Sequence, residues 1–201
     1  RRERTRAPRP DELAIATFNV ENLDPSDPDE KFESQAHTIV ENLAAPDIVA
    51  LEEVQDDTGA ECPDGPTDTC TPDGVVAADR TLRRLVTAIG DAGGPTYHWR
   101  QISPENLADG GQPTGNIRVA FLFRTDRGLT FVDRPGGDAT TPTEGIGDRG
   151  RARLTYSPGR IAPNHAAWTD SRKPLVGEFR WRGRTVFVVA NHFSSKGSDE
   201  P

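Results

Sequence analysis

Two short apolar runs separated by one helical repeat constrain this chain more than anything else in it. Residues 13–20 (Leu-Ala-Ile-Ala-Thr-Phe-Asn-Val) and 47–51 (Asp-Ile-Val-Ala-Leu) are short, nearly continuous apolar runs, and they read as buried strands. Between them Phe32, Ala36, Ile39, Val40 and Leu43 recur at helical spacing over residues 31–43, and Pro46 stops the helix. A strand, a helix and a strand in that order imply two strands sharing a sheet with the helix as crossover.

The remaining pattern extends this frame. Asp79 is placed to cap a helix running through Ile89, with Leu82, Leu85, Val86 and Ile89 on one face. Residues 97–102 and 116–124 read as strands, the latter paired with 129–132 across a turn at Asp126-Arg127-Gly128. Residues 134–171 are rich in Gly, Pro, Arg and Thr, without periodicity, and read as an irregular excursion. Residues 175–181 and 185–190 form a hairpin joined at Arg182-Gly183. Residues 1–12, with five Arg and two Pro, read as a disordered basic tail, leaving 13–201 as part of one domain. No stretch approaches 18 consecutive apolar residues, which excludes a helical membrane span from the sequence.

Charge is unevenly distributed behind a net value of −8. Residues 52–79 hold nine acids and no Lys or Arg, whereas 118–184 hold thirteen basic side chains against seven acids. The acidic total argues against non-specific coating of DNA, while the basic second half could still face a polyanion. The acidic run lies in a long loop, 55–78, expected to be the least ordered part of the body and able to hold a structural Ca²⁺. Cys62 and Cys70 lie in this loop without a His nearby in sequence. A short disulfide fits them better than a zinc site or two free thiols, and it points to an oxidising, extracellular or cell-surface location.

Nucleophile elbows, phosphate-binding P-loops, His-Glu-x-x-His helices and EF-hand loops are all absent from the sequence. What remains is polar side chains at the carboxyl ends of apolar strands: Asn19 and Glu21-Asn22, Glu52-Glu53, and Asn191-His192. Ligands gather at such ends in sheets with parallel strands. The wording there is also familiar. Ala-Thr-Phe-Asn-Val-Glu-Asn-Leu and Asp-Ile-Val-Ala-Leu-Glu-Glu-Val-Gln resemble the first two motifs of the endonuclease/exonuclease/phosphatase superfamily. Ser171-Arg172-Lys173-Pro174-Leu175 and Val188-Val189-Ala190-Asn191-His192-Phe193 resemble later segments of its deoxyribonuclease I-like members, in the correct order. Gly115-Asn116-Ile117-Arg118-Val119 adds to the likeness, which is closest to secreted bacterial nucleases.

The resemblance implies an α/β sandwich, two mixed sheets packed face to face with helices outside, incomplete at its C-terminus. It implies metal-dependent hydrolysis of phosphodiester bonds in extracellular DNA, and secondarily RNA. Glu53 takes the place of the metal-ligating Glu for Mg²⁺ or Mn²⁺, Asn19 helps orient metal and phosphate, and His192 assists the leaving oxygen. Arg172 contacts substrate phosphate, with Asn116 and Asn191 as further phosphate contacts. The supporting carboxylate that related enzymes keep near Asn116 and Arg118 is absent here. So are the later Gly-Asp-x-Asn and Ser-Asp-His motifs, which implies that a further segment of the domain is a partner needed for activity. A phosphatase or sphingomyelinase of the same superfamily, or a non-catalytic secreted binding domain, are the competing readings. Trp168 and Trp181 read first as packing residues and second as surfaces for stacking bases.

Overall fold

The computed structural model describes residues 3–60, 72–148 and 151–193. Strand β1 (Ile15–Leu23) pairs in parallel with β2 (Ile48–Val54), and helix α1 (Asp29–His37) crosses between them. One π-helical turn, Thr38–Asn42, extends α1. Left-handed Ala44 and Ala45 then end it before Pro46. Beyond β2 come helix α2 (Asp79–Asp91) and strands β3 (His98–Gln101) and β4 (Arg118–Phe123), giving a mixed sheet of order β1-β2-β4-β3.

Alternation along β2 explains the layering. Val49 and Leu51 face the helices and join Leu82, Leu85, Ile89, Phe32 and Ile39 in one apolar core. Ile48 and Ala50 face the other way, into a second core with Phe121, Phe123, Leu175, Phe179 and Val188. This second core lies between the mixed sheet and a second sheet built from β5 (Leu129–Phe131), β9 (Leu175–Trp181) and β10 (Arg184–Ala190), with β8 (Gly159–Arg160) also paired to β9. Phe179 meets Phe121 and Phe123 edge-on across the gap, at 5.7 and 5.8 Å between ring centroids. The architecture is an α/β sandwich with helices outside the first sheet.

Three expectations change. The second sheet is antiparallel throughout its described strands, not mixed. Strand β5 does not fold back on β4; it crosses to the other sheet and pairs with β9. The crossing is anchored by buried Asp47, whose Oδ1 accepts from Arg127 Nε at 2.8 Å, and by Phe131 stacked on Phe123. Asp79 is the first residue of α2 rather than its cap; Asp57 Oδ1 instead accepts from the Arg80 and Thr81 amides.

The β9–β10 hairpin turns at Arg182 and Gly183 as expected, both with positive φ. The excursion carries a small ribbon, β6 (Gly145–Ile146) with β7 (Arg153–Leu154), laid on the outer face of the second sheet. There Glu178 of β9 pairs with Arg134 and accepts from the Leu154 amide. Residues 3–12 form no helix or strand, but bond to the body through Thr5 to Asn42 and Arg127 to Arg9. Cys62 and Cys70 lie outside the described residues. Among the described residues, no helix is long and apolar enough to cross a membrane.

Candidate active site at the end of the sandwich

Both strands of the parallel pair break at the same level. In β1, Glu21 and Asn22 adopt left-handed backbone, and the β1–β2 register shifts beyond Asn19. In β2, Glu53 is left-handed with φ 62°, and the β2–β4 register shifts between Leu51 and Val54. Non-glycine residues rarely adopt this conformation, and such strain clusters at functional sites. Asn19 starts the break by accepting the Glu21 amide on its Oδ1 at 2.8 Å. Gln55 ties the two strand ends together, donating from Nε2 to Asn22 Oδ1 at 3.0 Å.

The kink at Glu53 has a direct chemical consequence. Strict alternation sends Glu52 toward the second sheet, beside its register partner Asn19, and Glu53 toward the helices. Instead both acids serve the sandwich side. Glu52 Oε1 accepts from the Thr17 hydroxyl at 2.7 Å, and Glu53 Oε1 stands 3.4 Å from Nε2 of His192. His192 follows β10 and so belongs to the other sheet. The site therefore spans the end of the sandwich, with one wall from each sheet.

His192 is 13% exposed and Glu53 22%. Burial pushes the His192 pKa below its ordinary value, Arg172 pushes it further down, and Glu53 and Glu52 oppose them. The net direction keeps the imidazole neutral near neutral pH, in the form that accepts a proton. Nδ1 of His192 and Nε of Arg172 are buried without a hydrogen-bond partner among the described residues. Arg172 reaches over from the segment before β9, and its Nη2 lies 3.5 Å from the Phe193 carbonyl.

The structure brings Glu53, His192 and Arg172 together, with Asn19 on the strand beside Glu52. Asn191 is half-buried between Ala190 and His192. Asn116 is not presented to the site. It is 2% exposed, with Oδ1 accepting the Leu107 amide and Nδ2 donating to Val75 O and Asn106 Oδ1. Its neighbour Arg118 is buried as well, donating to Val76 O and Asn116 O, and burial lowers its pKa to about 10. Thr17 and Gln55 join the strand-end network beyond the residues the sequence points to; the one sequence signal for Gln55 is its place two residues after Glu53 at a strand end.

No family model and no curated protein matches the chain. Among solved structures it is similar to an endonuclease/exonuclease/phosphatase family protein from Leptotrichia buccalis C-1013-b. The identity is 13% and the TM-score 0.47, over 94% of this chain and 56% of that one. The chain thus spans little more than half the length of that protein.

A divalent cation would find oxygen donors in the Glu53 carboxylate and the Asn19 amide, whose carbonyl keeps a lone pair beyond its bond to Glu21. Among the described residues no group of three or more His, Cys, Asp or Glu converges to enclose an ion. This sparse, oxygen-only set suits Mg²⁺ or Mn²⁺ held by one or two protein groups, water and substrate phosphate; residues 61–71 of the acidic loop expected to hold Ca²⁺ lie outside the described residues.

Proposed function

We propose that this chain carries one half of a metal-dependent phosphodiesterase site acting on nucleic acid, DNA first and RNA second. The observation that carries the reading is the left-handed Glu53, which breaks strand alternation to face His192 across the two sheets. A carboxylate, a half-buried imidazole and a guanidinium brought together at the end of the sandwich suit phosphoryl chemistry. Glu53 and Asn19 would hold a divalent ion, whose chemistry there would be to offset phosphate charge. Arg172 orients a non-bridging phosphate oxygen through its planar fork. His192, on the opposite wall from Glu53, would donate a proton to the departing ester oxygen from its protonated form, which the facing Glu53 carboxylate favours.

The motifs absent from residues 1–201 carry the Asp-His pair that the family resemblance assigns to water activation, so the reading expects that base from outside them. An extracellular setting belongs to the same proposal. A count of free thiols tests it, with two reactive groups at Cys62 and Cys70 removing its support.

The metal half is tested by adding Mn²⁺ to the chain and following paramagnetic broadening of the His192 ring resonances. Broadening in the wild type, lost in Glu53→Gln, is the expected result. Equal broadening in both variants removes Glu53 from the metal site, and none in either removes the metal. Cleavage of plasmid DNA, rather than release of phosphate from lipid headgroups, by the intact protein decides the substrate.

A further inference from the structure

Phe193 is 67% exposed, the most exposed of the large hydrophobic residues described, and it directly follows His192. Its ring faces Trp168, with centroids 6.4 Å apart and planes inclined by 27°. Neither ring joins the two apolar cores. Trp181, by contrast, packs against the inter-sheet core under Arg182.

The chain holds Trp168 in place deliberately. It closes a 3₁₀ turn, Ala166–Trp168, in which its own amide donates to His165 O and His165 Nδ1 accepts the Ala167 amide. The Ser171 amide then returns to Trp168 O, and left-handed Asp170 turns the chain so that Arg172 reaches the Phe193 carbonyl. Two aromatic faces, a guanidinium and the site imidazole thus lie on adjoining residues of two segments.

We propose that Trp168 and Phe193 form a base-stacking platform at the margin of the Glu53–His192 site, selecting nucleic acid strands whose bases are unstacked. The inference rests on the phosphodiesterase reading and narrows its substrate. A base and its phosphate are joined by one sugar, so a π-face beside a phosphate-handling guanidinium matches one nucleotide. Every base offers such a face, which makes the platform tolerant of sequence. Duplex bases already stack on one another, so strand ends and single strands gain most. A choline headgroup is the competing guest for two rings, but the Arg172 charge beside them repels a quaternary ammonium.

The test compares a hydrolysis-resistant, fluorescein-labelled oligothymidylate with an abasic oligomer of equal length and charge, by anisotropy in Mg²⁺. The wild type should bind the base-bearing strand more tightly. Phe193→Ala and Trp168→Ala should each weaken that binding by roughly five- to a hundredfold, leaving the abasic oligomer unaffected. Phe193→Tyr and Trp168→Phe should restore most of it. Equal losses on both oligomers in the alanine variants overturn the platform, as does a wild type indifferent to bases, which leaves the phosphodiesterase reading standing. Binding to neither oligomer overturns both. Loss of binding to sphingomyelin vesicles in the variants, with DNA binding intact, assigns the rings to a membrane instead.

Discussion

At the scale of single residues, Glu53 places its function against its own stability. Left-handed backbone costs a non-glycine residue about 1–2 kcal/mol, and glycine gives part of that back through its freedom when unfolded. Glu53→Gly should therefore raise the urea midpoint, by up to about 1 kcal/mol of stability, while abolishing metal binding. A fall in the midpoint would mean that the contact with His192 outweighs the strain. Glu178 shows the opposite arrangement, a buried acid used for stability alone. Burial acts to raise its pKa, but the Arg134 guanidinium, the Leu154 amide and the Arg134 charge outweigh it and the net shift is downward. A folded pKa below the unfolded one adds stability that is complete above the ordinary carboxylate range and lost as pH falls through the folded value. The stability gap between wild type and Glu178→Gln should accordingly narrow between neutral pH and about pH 3; a constant gap would reassign the cost to packing. Asn19, Glu53 and His192 stand out in the sequence because they punctuate apolar runs, and the family resemblance adds Arg172. It misassigned Asn116, since nothing local distinguishes an amide turned to phosphate from one spent on Leu107, Val75 and Asn106.

At the scale of elements, legibility followed the range of the interactions. The longer strands and both helices were visible because burial on one or two faces leaves a period in the sequence, whereas the two-residue strands β6, β7 and β8 are too short to leave one. Pairing was not. The turn residues Asp126-Arg127-Gly128 satisfy hairpin grammar, yet the Asp47–Arg127 ion pair and the Phe123–Phe131 stack send β5 to the opposite sheet. Helix α2 makes the same point at its start. Asp79 has the residue type of a cap, but the capping oxygen comes from Asp57, more than twenty residues earlier, beyond a loop. Asp57→Ala should cost about 1 kcal/mol, measured by urea unfolding, and Asp79→Ala less, because Asp79 complements the helix dipole and accepts one long bond, 3.4 Å, from Trp99 Nε1. The reverse order would return the cap to Asp79.

At the scale of the whole molecule, the site exists only because two sheets stop at the same height. Glu53 belongs to one and His192 to the other, so the distance between the sheets sets their 3.4 Å contact. Gly177 controls that distance. A Cβ there would lie 2.8 Å from Phe131 Cε2, 2.9 Å from Phe179 Cε2 and 3.2 Å from Phe121 Cε2, atoms contributed by both sheets. Gly177→Ala must therefore displace aromatic rings of the inter-sheet core, at about 1–3 kcal/mol for overpacking. If the rings yield by letting the sheets separate, the His192–Glu53 pair loosens although no site residue has changed. We expect a lowered melting temperature together with His192 ring resonances shifted toward those of Glu53→Gln, whose imidazole has lost its charged neighbour. A stability loss of this size with His192 resonances unmoved would show that the rings repack locally. The site would then be insulated from the packing between the sheets, and strand-end geometry alone would position the pair.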